Sequence, residues 1–352
     1  MAQDMNQKTS ASNAQGQNPL LEARHLKKYF EIPRKGSLHA VDDVSFTVNR
    51  GETLGLVGES GCGKSTVGNV VMRLLPATDG ELIFEGKNVF KATRAESNLY
   101  CQQMQIVFQD PFSSLNPKKT IKSILSEPFE IQKVAAGEEL DRRIRELCDK
   151  VEMQQALLDR YPHELDGGMR QVVGIARALS INPKFIVCDE PVSSLDVSVQ
   201  AKIINLLIDL QKEMDLSYLF ISHDLSVVKH ISSRIAIMYL GQIVETGDVE
   251  TIYTNTMHPY AVALLSAIPQ IDVENKVSRI LLKGDVPSPM NPKPGCRFAP
   301  RCWMAQPSCT DATPELVEVE PGHCVACHFA HKTRELMESA AKTSLDTLKA
   351  KS

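Results

Sequence analysis

The sequence predicts an α/β fold built around a parallel β-sheet, and three features support this fold class. Short apolar runs alternate with segments of helical periodicity over most of the chain, which is the pattern of strands joined by crossover helices. Residues 185–190 (FIVCDE) are almost wholly apolar before two closing acids, as in a central strand that is covered on both faces. Residues 53–58 (TLGLVG) form a second apolar run, which ends in a glycine-rich turn.

The predicted elements follow one another in a regular order along the chain. The pattern first predicts short strands within 21–49, a strand at 53–58, a helix at 64–75, and strands at 81–86 and 104–110. It then predicts helices within 123–158 and at 169–179, a strand at 185–190, a helix at 197–213 and a strand at 217–224. After about Gly247 the regular alternation of predicted strands and helices ends. The prolines within 285–300 exclude regular structure in that segment.

The composition argues against several classes of protein. Of the 352 residues 43% are hydrophobic and 23% are charged, and the net charge is −4, which is ordinary for a globular protein and unlike a nucleic-acid binder with a basic face. No apolar run approaches the length of about 18 residues that would indicate a membrane span. Residues 1–19 are rich in Gln, Asn, Ser and Ala and lack the apolar core of a secretory signal, so we expect a disordered tail on a cytosolic protein.

Residues 58–65 match the phosphate-binding pattern G-x-x-x-x-G-K-[ST], between a predicted strand and a predicted helix. In this pattern the glycines let backbone N–H groups turn inward around phosphates, the lysine adds a charge at the β- and γ-oxygens, and the hydroxyl can ligate Mg²⁺. Glycines at these positions also suit an ordinary tight turn, but the strand–loop–helix context favours nucleotide binding. The expected ATP-binding residues of this loop are Gly58, Glu59, Ser60, Gly61, Cys62, Gly63, Lys64, Ser65 and Thr66.

Four further features narrow the class of nucleotide-binding protein. They are LDGGMRQ at 165–171, SSLD at 193–196, Gln109 at the end of one predicted strand and His223 at the end of another. Together with the phosphate-binding loop and the acid pair, this set resembles the ATP-binding cassette (ABC) of transporters over residues 21 to about 250. The resemblance implies an ABC-type P-loop NTPase with a RecA-like core, an antiparallel β region and a helical subdomain at about 120–180.

The resemblance also implies a role for each polar residue at the ends of the predicted strands. Glu190 would polarise the attacking water, His223 would contact the γ-phosphate, and Gln109 would join the metal and the water to the membrane domains. Ser65, Gln109 and Asp189 would hold Mg²⁺. The alternatives are a helix N-cap or a solvated strand end for the two acids, and a plain surface histidine at 223.

An aromatic residue near the first strand stacks on adenine in this family. The resemblance assigns this role to Phe30, or failing that to Tyr29. Simple packing of these rings is the alternative.

In cassettes of this family, ATP is sandwiched between two subunits. One subunit supplies the phosphate-binding loop and the acid, and the other presents a glycine-rich signature at a helix N-terminus, where free N–H groups face the γ-phosphate. We therefore expect this chain to work only as a dimer of cassettes. The residues offered to the partner would be Asp166, Gly167, Gly168 and Met169 of the signature and Asp196 of the D-loop.

The signature departs from the family pattern at two positions. Asp166 stands where the family has serine, and Val172 stands where a basic residue is common. A serine hydroxyl would donate to a γ-phosphate oxygen, whereas an ionised aspartate can only accept, and two unit charges about 4 Å apart repel by about 4 kcal/mol at an effective dielectric of about 20. Aspartate remains a good helix N-cap, so the helix should still form. We expect an asymmetric heterodimer with one impaired site; the alternative is an Asp166 that turns aside or is protonated, and a normal site.

Five of the nine cysteines crowd into the segment 296–327. In a cytosolic protein such a cluster favours a metal over disulfides. With the segment HPYAVALLSAIPQ at 258–270, these cysteines resemble the C-terminal extension of peptide-importer ATPases over residues 250–330. The resemblance implies a [4Fe–4S] cluster, which takes four thiolate ligands. Those ligands would be Cys296, Cys302, Cys309 and Cys327, with Cys324 as a spare.

Zinc is the main alternative for these cysteines, since four thiolates also suit a tetrahedral structural site. The gaps of five, six and seventeen residues lack the paired C-x₂₋₄-C halves that are usual for zinc, apart from Cys324 with Cys327. Uncoordinated structural cysteines are the third possibility.

Taken together, the resemblances imply the ATP-hydrolysing subunit of an ABC importer that takes up di- or oligopeptides. Its partners would be a second ATPase subunit, two membrane permease subunits and an extracytoplasmic substrate-binding protein, with no nucleic acid, and it would act at the cytoplasmic face of the membrane. Segment 110–121 would lie beside the docking site of the permease helices. Alternatives are another substrate (nickel, glutathione or a sugar), a soluble cassette ATPase acting on nucleic acid or the ribosome, and a redox protein. The expected division of the chain is a tail (1–19), an ATPase domain (20–250), the extension (251–330) and a second tail (331–352).

Overall fold

The structure is a computed structural model that describes residues 18–268, 280–282, 284–333 and 335. The two expected tails lie almost wholly outside the described residues. The strands are β1 (Leu21–Ile32), β2 (Gly36–Val48), β3 (Thr53–Val57), β4 (Asp79–Phe84), β5 (Lys87–Asn88), β6 (Met104–Val107), β7 (Phe185–Asp189), β8 (Ser217–Ser222), β9 (Arg234–Tyr239), β10 (Gln242–Asp248), β11 (Val317–Glu320) and β12 (His323–Val325). The helices are α1 (Lys64–Val71), α2 (Arg94–Gln103), α3 (Pro111–Ser114), α4 (Ile121–Gln132), α5 (Gly137–Lys150), α6 (Gly167–Leu179), α7 (Val197–Met214), α8 (Leu225–Ile231), α9 (Val249–Thr254), α10 (Pro259–Ser266) and α11 (Ser308–Asp311).

The larger of the two sheets carries the core of the fold. Its eight strands lie in the order β11-β12-β10-β9-β3-β8-β7-β6, and the pairs from β9 to β6 are all parallel. Strands β3, β7 and β8 are buried along their whole length, as their continuous apolar sequences predict. The predicted α/β fold with a parallel sheet is therefore confirmed, and antiparallel strands at one edge make the sheet mixed. Because parallel strands end at the same edge, the loops after β3, β6, β7 and β8 converge there.

The smaller sheet is antiparallel, in the order β2-β1-β4-β5. The prediction of short strands within 21–49 is wrong in length, because that segment forms one long hairpin of a 12-residue and a 13-residue strand. The pairing of β1 with β2 shifts register three times between Ala23 and Tyr29. Such bulges interrupt the alternation of inward and outward side chains. The sequence pattern therefore predicted several short strands where the backbone forms one continuous strand.

Helices α3 to α6 lie between β6 and β7 in the sequence. The predicted helical span 123–158 is two helices, α4 and α5, and Lys133 ends the first with φ +54°. Helix α2 was not predicted, although it begins with a capping box in which Thr93 and Glu96 bond to each other's backbone N–H, a signal that the sequence carries as T-x-x-E. Helix α1 ends at Val71, four residues before the predicted end. Among the described helices, none combines the length and the apolar character needed to cross a bilayer.

The C-terminal extension is attached to the core sheet through a buried carboxylate. Strand β12 pairs with β10 and β11 pairs with β12, so the extension lengthens the sheet at its antiparallel edge. Glu245 of β10 is fully buried and accepts the backbone N–H groups of Met257 at 2.8 Å and His258 at 2.9 Å. The Nε2 atom of His323 lies 2.7 Å from the same carboxylate. One side chain of the cassette thus holds two separate segments of the extension.

Candidate nucleotide site

The loop between β3 and α1 is shaped by glycine at positions where a side chain cannot fit. Gly63 has φ +109°, and a Cβ atom there would lie 2.0 Å from the carbonyl oxygen of Ala40. A Cβ atom on Gly58 would lie 2.2 Å from the carbonyl oxygen of Met238. Only glycine allows so close an approach. Strands β2 and β9 therefore hold the loop tightly against the edge of the core sheet.

Lys64, the first residue of α1, directs its ammonium group back into this loop. Its Nζ donates to the carbonyl oxygens of Gly58 at 2.8 Å and Glu59 at 3.1 Å. The Lys64 side chain is 4% exposed, and Nζ lies 4.0 Å from a carboxylate oxygen of Glu190. A buried cation held by neutral carbonyls gains from exchanging them for anionic oxygens. The loop is therefore suited to an anion such as a phosphate.

The end of β7 brings a carboxylate against the loop. Asp189 is buried and accepts a hydrogen bond from Ser65 Oγ at 2.8 Å. Burial raises the pKa of Asp189, while the Ser65 hydrogen bond opposes this shift. A carboxylate beside a hydroxyl is a donor set of hard oxygens, which fits Mg²⁺.

Three loops converge on the carboxylate of Glu190. Gln109 Nε2 donates to Glu190 Oε2 at 3.0 Å, and His223 Nδ1 lies 3.2 Å from the same oxygen. Glu190 has φ +45°, in the left-handed region that side-chain residues seldom adopt and that is often found at functional sites. Gln109 after β6 and His223 after β8 thus both lie within hydrogen-bond distance of Glu190, which follows β7.

A cavity of about 900 Å³ opens over the loop and the strand ends. Every residue from Gly58 to Thr66 lines it, as do Gln109, Glu190 and His223. Phe30 lines the cavity and Tyr29 does not, because the Tyr29 hydroxyl donates to Asp42 and its ring stacks on His39 at 3.8 Å. Of the two aromatic residues predicted to stack on adenine, the structure brings only Phe30 to the cavity.

The signature residues lie apart from this cavity. Asp166 caps α6 by accepting the Met169 backbone N–H at 2.8 Å, and both Asp166 and Gly167 are exposed. Asp196 caps α7 in the same way, through the Val199 N–H at 3.1 Å, and is exposed too. None of the five residues predicted to act on a partner's nucleotide lines the cavity of their own chain.

The four cysteines predicted as metal ligands line one small pocket in the extension. Cys296, Cys302, Cys309 and Cys327 surround a cavity of about 20 Å³, and Cys324 is not among its lining residues. Burial raises the pKa of Cys302 and of Cys327 to about 11. A space of this size has room for about one water molecule, and within the described residues no three or more His, Cys, Asp or Glu side chains are grouped so that they could hold an ion. The thiols have the chemistry of a metal site and are gathered together, but their arrangement is not that of a formed site.

Among the described residues of the extension, Tyr260 and Arg301 contact the phosphate-binding loop, and no sequence motif predicted either contact. The Tyr260 hydroxyl accepts the Glu59 backbone N–H at 2.9 Å. Arg301 Nη1 and Nη2 donate to the Glu59 carboxylate at 2.8 and 3.3 Å. Arg301 lies 242 positions from Glu59, and no motif at that separation indicates contact.

Comparison with known proteins agrees with both halves of the chain. The family model described as ABC transporter matches residues 41–193, and the model described as oligopeptide/dipeptide transporter, C-terminal region, matches residues 244–309. An ATP-binding cassette solved as a dimer in a post-hydrolysis state, bound to ADP and phosphate, superposes with a TM-score of 0.60 at 27% identity and covers 65% of this chain and 98% of its own.

Relatives of known name match over nearly their whole length. The oligopeptide transport ATP-binding protein AppF of Bacillus subtilis is 48% identical over 325 residues, which are 90% of this chain and 99% of AppF. The dipeptide transport ATP-binding protein DppF of Haemophilus influenzae is 46% identical over 315 residues, which are 88% of this chain and 96% of DppF. The chain therefore belongs to the ABC transporter family, and within it to the ATP-binding proteins of oligopeptide and dipeptide transport.

Proposed function

We propose that the chain is the ATP-hydrolysing subunit of an importer that takes up di- and oligopeptides. One observation carries the proposal: Gln109, His223 and Lys64 surround the Glu190 carboxylate at the edge of a cavity that the phosphate-binding loop lines. The names of the relatives, with a C-terminal region of the oligopeptide/dipeptide type, support the peptide substrate.

In the proposed reaction the loop binds the phosphates of ATP. Lys64 transfers its hydrogen bonds from the two loop carbonyls to phosphate oxygens, and inward N–H groups of the loop bind the others. Phe30 packs against the base. Ser65 and Asp189, with Gln109, would hold Mg²⁺, which supplies positive charge to the phosphates when bound.

Glu190 acts on the water that attacks the γ-phosphate. Its carboxylate accepts a proton from that water as the bond from the γ-phosphorus to the bridging oxygen breaks. Gln109 and His223 fix the carboxylate by their contacts at 3.0 and 3.2 Å. The backbone N–H of Glu190 donates to the Ile221 carbonyl at 2.9 Å, which ties its position to β8.

The partners that we propose follow from two exposed surfaces of the chain, at the signature and at α3. The exposure of Asp166 and Gly167 supports a dimer in which each chain completes the other's site. The solved cassette that superposes on this chain is itself described as dimeric. Phe112 of α3, three residues after Gln109, is 57% exposed with its ring against Arg170 at 5.0 Å. This exposed aromatic supports docking of the permease subunits here, at the cytoplasmic face of the membrane, with a binding protein delivering the peptide outside.

We further propose that the dimer partner is a different ATPase chain with a complete signature. Asp166 occupies the N-cap of α6, so the helix is intact while its first polar group carries the same charge sign as a phosphate. Served by a partner with serine at this position, the loop and Glu190 of this chain would turn over ATP at full rate. The partner's ATP, facing Asp166, would turn over slowly.

We also propose that Cys296, Cys302, Cys309 and Cys327 hold a metal centre, a [4Fe–4S] cluster in the form that the family resemblance implies. The gathering of all four thiols around one cavity supports it. Metal analysis of anaerobically purified protein should find about four irons per chain. Cys327→Ser should lose the iron and Cys324→Ser should keep it. Zinc without iron would overturn the cluster, and absence of both would overturn the metal centre.

The transport function is tested in vesicles that contain the complete complex. Labelled dipeptide should accumulate when the binding protein is on the outer side and MgATP on the side of this chain. Lys64→Ala should abolish accumulation, and Lys212→Ala, a surface change at the end of α7, should not. ATP hydrolysis without peptide accumulation, but with accumulation of nickel, glutathione or a sugar, would replace the substrate and leave the ATPase in place.

A further inference from the structure

The segment between two of the pocket cysteines reaches from the extension into the phosphate-binding loop. Residues Ala299–Arg301 form a single tight turn that ends at Cys302. From this turn Arg301 extends to Glu59, the second residue of the loop, with its two terminal nitrogens 2.8 and 3.3 Å from the two carboxylate oxygens. The Arg301 side chain is 8% exposed. A two-point contact between a planar guanidinium and a carboxylate fixes the orientation of both groups.

Glu59 is held at each of its polar groups. Its carboxylate is paired with Arg301, its N–H donates to the Tyr260 hydroxyl at 2.9 Å, and its carbonyl accepts from Lys64 Nζ at 3.1 Å. Two of these partners belong to the extension, and the third is the lysine that the phosphates would bind. The extension therefore sets the position of the backbone at the entrance of the loop.

A second arginine of the same segment contacts another residue that lines the cavity. Arg297 is 9% exposed and donates to the carbonyl of Leu240, which lines the cavity, and to the carboxylate of Asp42. Both arginines between Cys296 and Cys302 thus leave the extension and contact the nucleotide site. The segment between the two cysteines therefore packs against the cassette beside the nucleotide site.

The Arg301 pair also determines the charge that a nucleotide meets. Glu59 lines the cavity, and a triphosphate is strongly anionic, so an uncompensated carboxylate at this position would repel it. Paired with Arg301, the carboxylate is neutralised and its position is fixed. We propose that Arg301 acts in the ATP site by compensating the charge of Glu59, so that the C-terminal extension makes the phosphate-binding loop fit for an anionic ligand. The inference rests on the proposed binding of ATP by this loop.

Four variants of the full chain test it by equilibrium binding of ATP and by steady-state hydrolysis in the assembled complex. Arg301→Gln should weaken ATP binding by about tenfold and raise KM for ATP with little change in kcat, because the freed carboxylate opposes the bound phosphates. Glu59→Gln should bind ATP at least as tightly as the wild type. The double variant should return to within about twofold of the wild type, because both charges are gone. Arg301→Lys should lie between, since it keeps the charge and loses the two-point geometry.

Arg24→Gln is the matched control, because Arg24 also makes a two-point pair with a carboxylate, that of Glu22, at 2.7 and 2.8 Å, and its side chain is 51% exposed. It should leave ATP binding unchanged. Equal weakening in Arg301→Gln, Glu59→Gln and the double variant would mean a purely structural contact and overturn the inference, as would wild-type affinity in Arg301→Gln. If Arg301→Gln does not fold, a tenfold loss of affinity in Glu59→Gln still overturns it. A wild-type chain that does not bind ATP would instead refute the proposed function.

Discussion

The phosphate-binding loop and the signature segment differ in how far the chain itself buries them, although both are glycine-rich turns that begin a helix. The loop is packed against neighbouring segments of the chain. Lys64 is 4% exposed, and Ser65 contacts the buried Asp189 at 2.8 Å. At the signature, Asp166 and Gly167 are exposed, and the Asp166 carboxylate contacts the first turn of its own helix. One chain completes the surroundings of the loop, whereas Asp166 and Gly167 of the signature stay exposed, as the proposed dimer requires.

The glycines of the two segments also differ, in whether the fold leaves room for a side chain. Gly63 needs a positive φ and has a carbonyl oxygen 2.0 Å from where a Cβ would lie. Gly167 has no such φ, and its nearest neighbour would be the flexible end of Leu195 at 3.2 Å. The fold therefore requires glycine at 63 and does not require it at 167. Glycine at 167 would allow the close approach of a ligand from outside, which is the role that we propose for this segment.

The largest expected effect tests whether the loop and its acid form a complete catalytic unit. Glu190→Gln should lower ATP turnover by about a hundredfold or more, because the amide cannot accept the proton of the attacking water. ATP binding should be retained, since the loop is untouched. Phosphate release by the assembled complex and equilibrium ATP binding measure the two quantities. Glu213→Gln, on the exposed face of α7, is the control, and near-normal hydrolysis by Glu190→Gln would remove this residue from the role of base.

The next effect separates the two glycines. Gly63→Ala should reduce the free energy of unfolding by about 3 kcal/mol and abolish ATP binding, because the strained φ and the clash act together. Gly167→Ala should change the free energy of unfolding by less than about 1 kcal/mol, since alanine is favoured in a helix, yet lower turnover of the complex by about tenfold. Denaturant unfolding and phosphate release measure these outcomes. Normal turnover in Gly167→Ala would show that the signature does not meet a nucleotide closely.

The smallest expected effect on ATP turnover concerns the negative charge of Asp166 in the signature segment. Asp166→Ser should raise ATP turnover of the complex about threefold, because it removes a repulsion that bound Mg²⁺ partly screens. Asp166→Asn removes the charge as well, and both variants keep a residue that caps helices, so the unfolding free energy should hold. An increase in both variants assigns the effect to charge, and an increase with serine alone assigns it to the hydroxyl. Unchanged turnover in both would make the two sites equivalent and end the proposal of asymmetry.

Local patterns in the sequence predicted the elements that depend on neighbouring residues. The eight positions from Gly58 to Ser65 predicted a phosphate-binding loop, and the apolar runs predicted the buried parallel strands β3, β7 and β8. Both depend on backbone geometry and burial within a few residues, which composition and spacing record directly. The hairpin of β1 and β2 was harder to predict, because bulges interrupt its period.

The cysteine pocket lies between these extremes. The crowding of five cysteines in one segment predicted a metal site, and the family resemblance implied Cys296, Cys302, Cys309 and Cys327 as its ligands; these four line one cavity. Spacing alone does not determine how close the sulfur atoms come, because irregular segments join them and each joint adds conformational freedom. The cavity of about 20 Å³ and the buried thiols are properties of the packed chain.

Only the tertiary structure decided how the extension meets the nucleotide site. Arg301 reaches Glu59 across 242 positions, and Glu245 bonds to His323 across 78. Neither pair follows from a motif, since a charged residue in a proline-rich segment could pair with any opposite charge that folding brings near it. The sequence by itself determined a cassette with a phosphate-binding loop and an acid at the end of a buried strand. Packing of the extension against β9 and β10 decided that its arginines and Tyr260 contact residues lining the cavity, because contacts between distant segments are selected by the whole folded core.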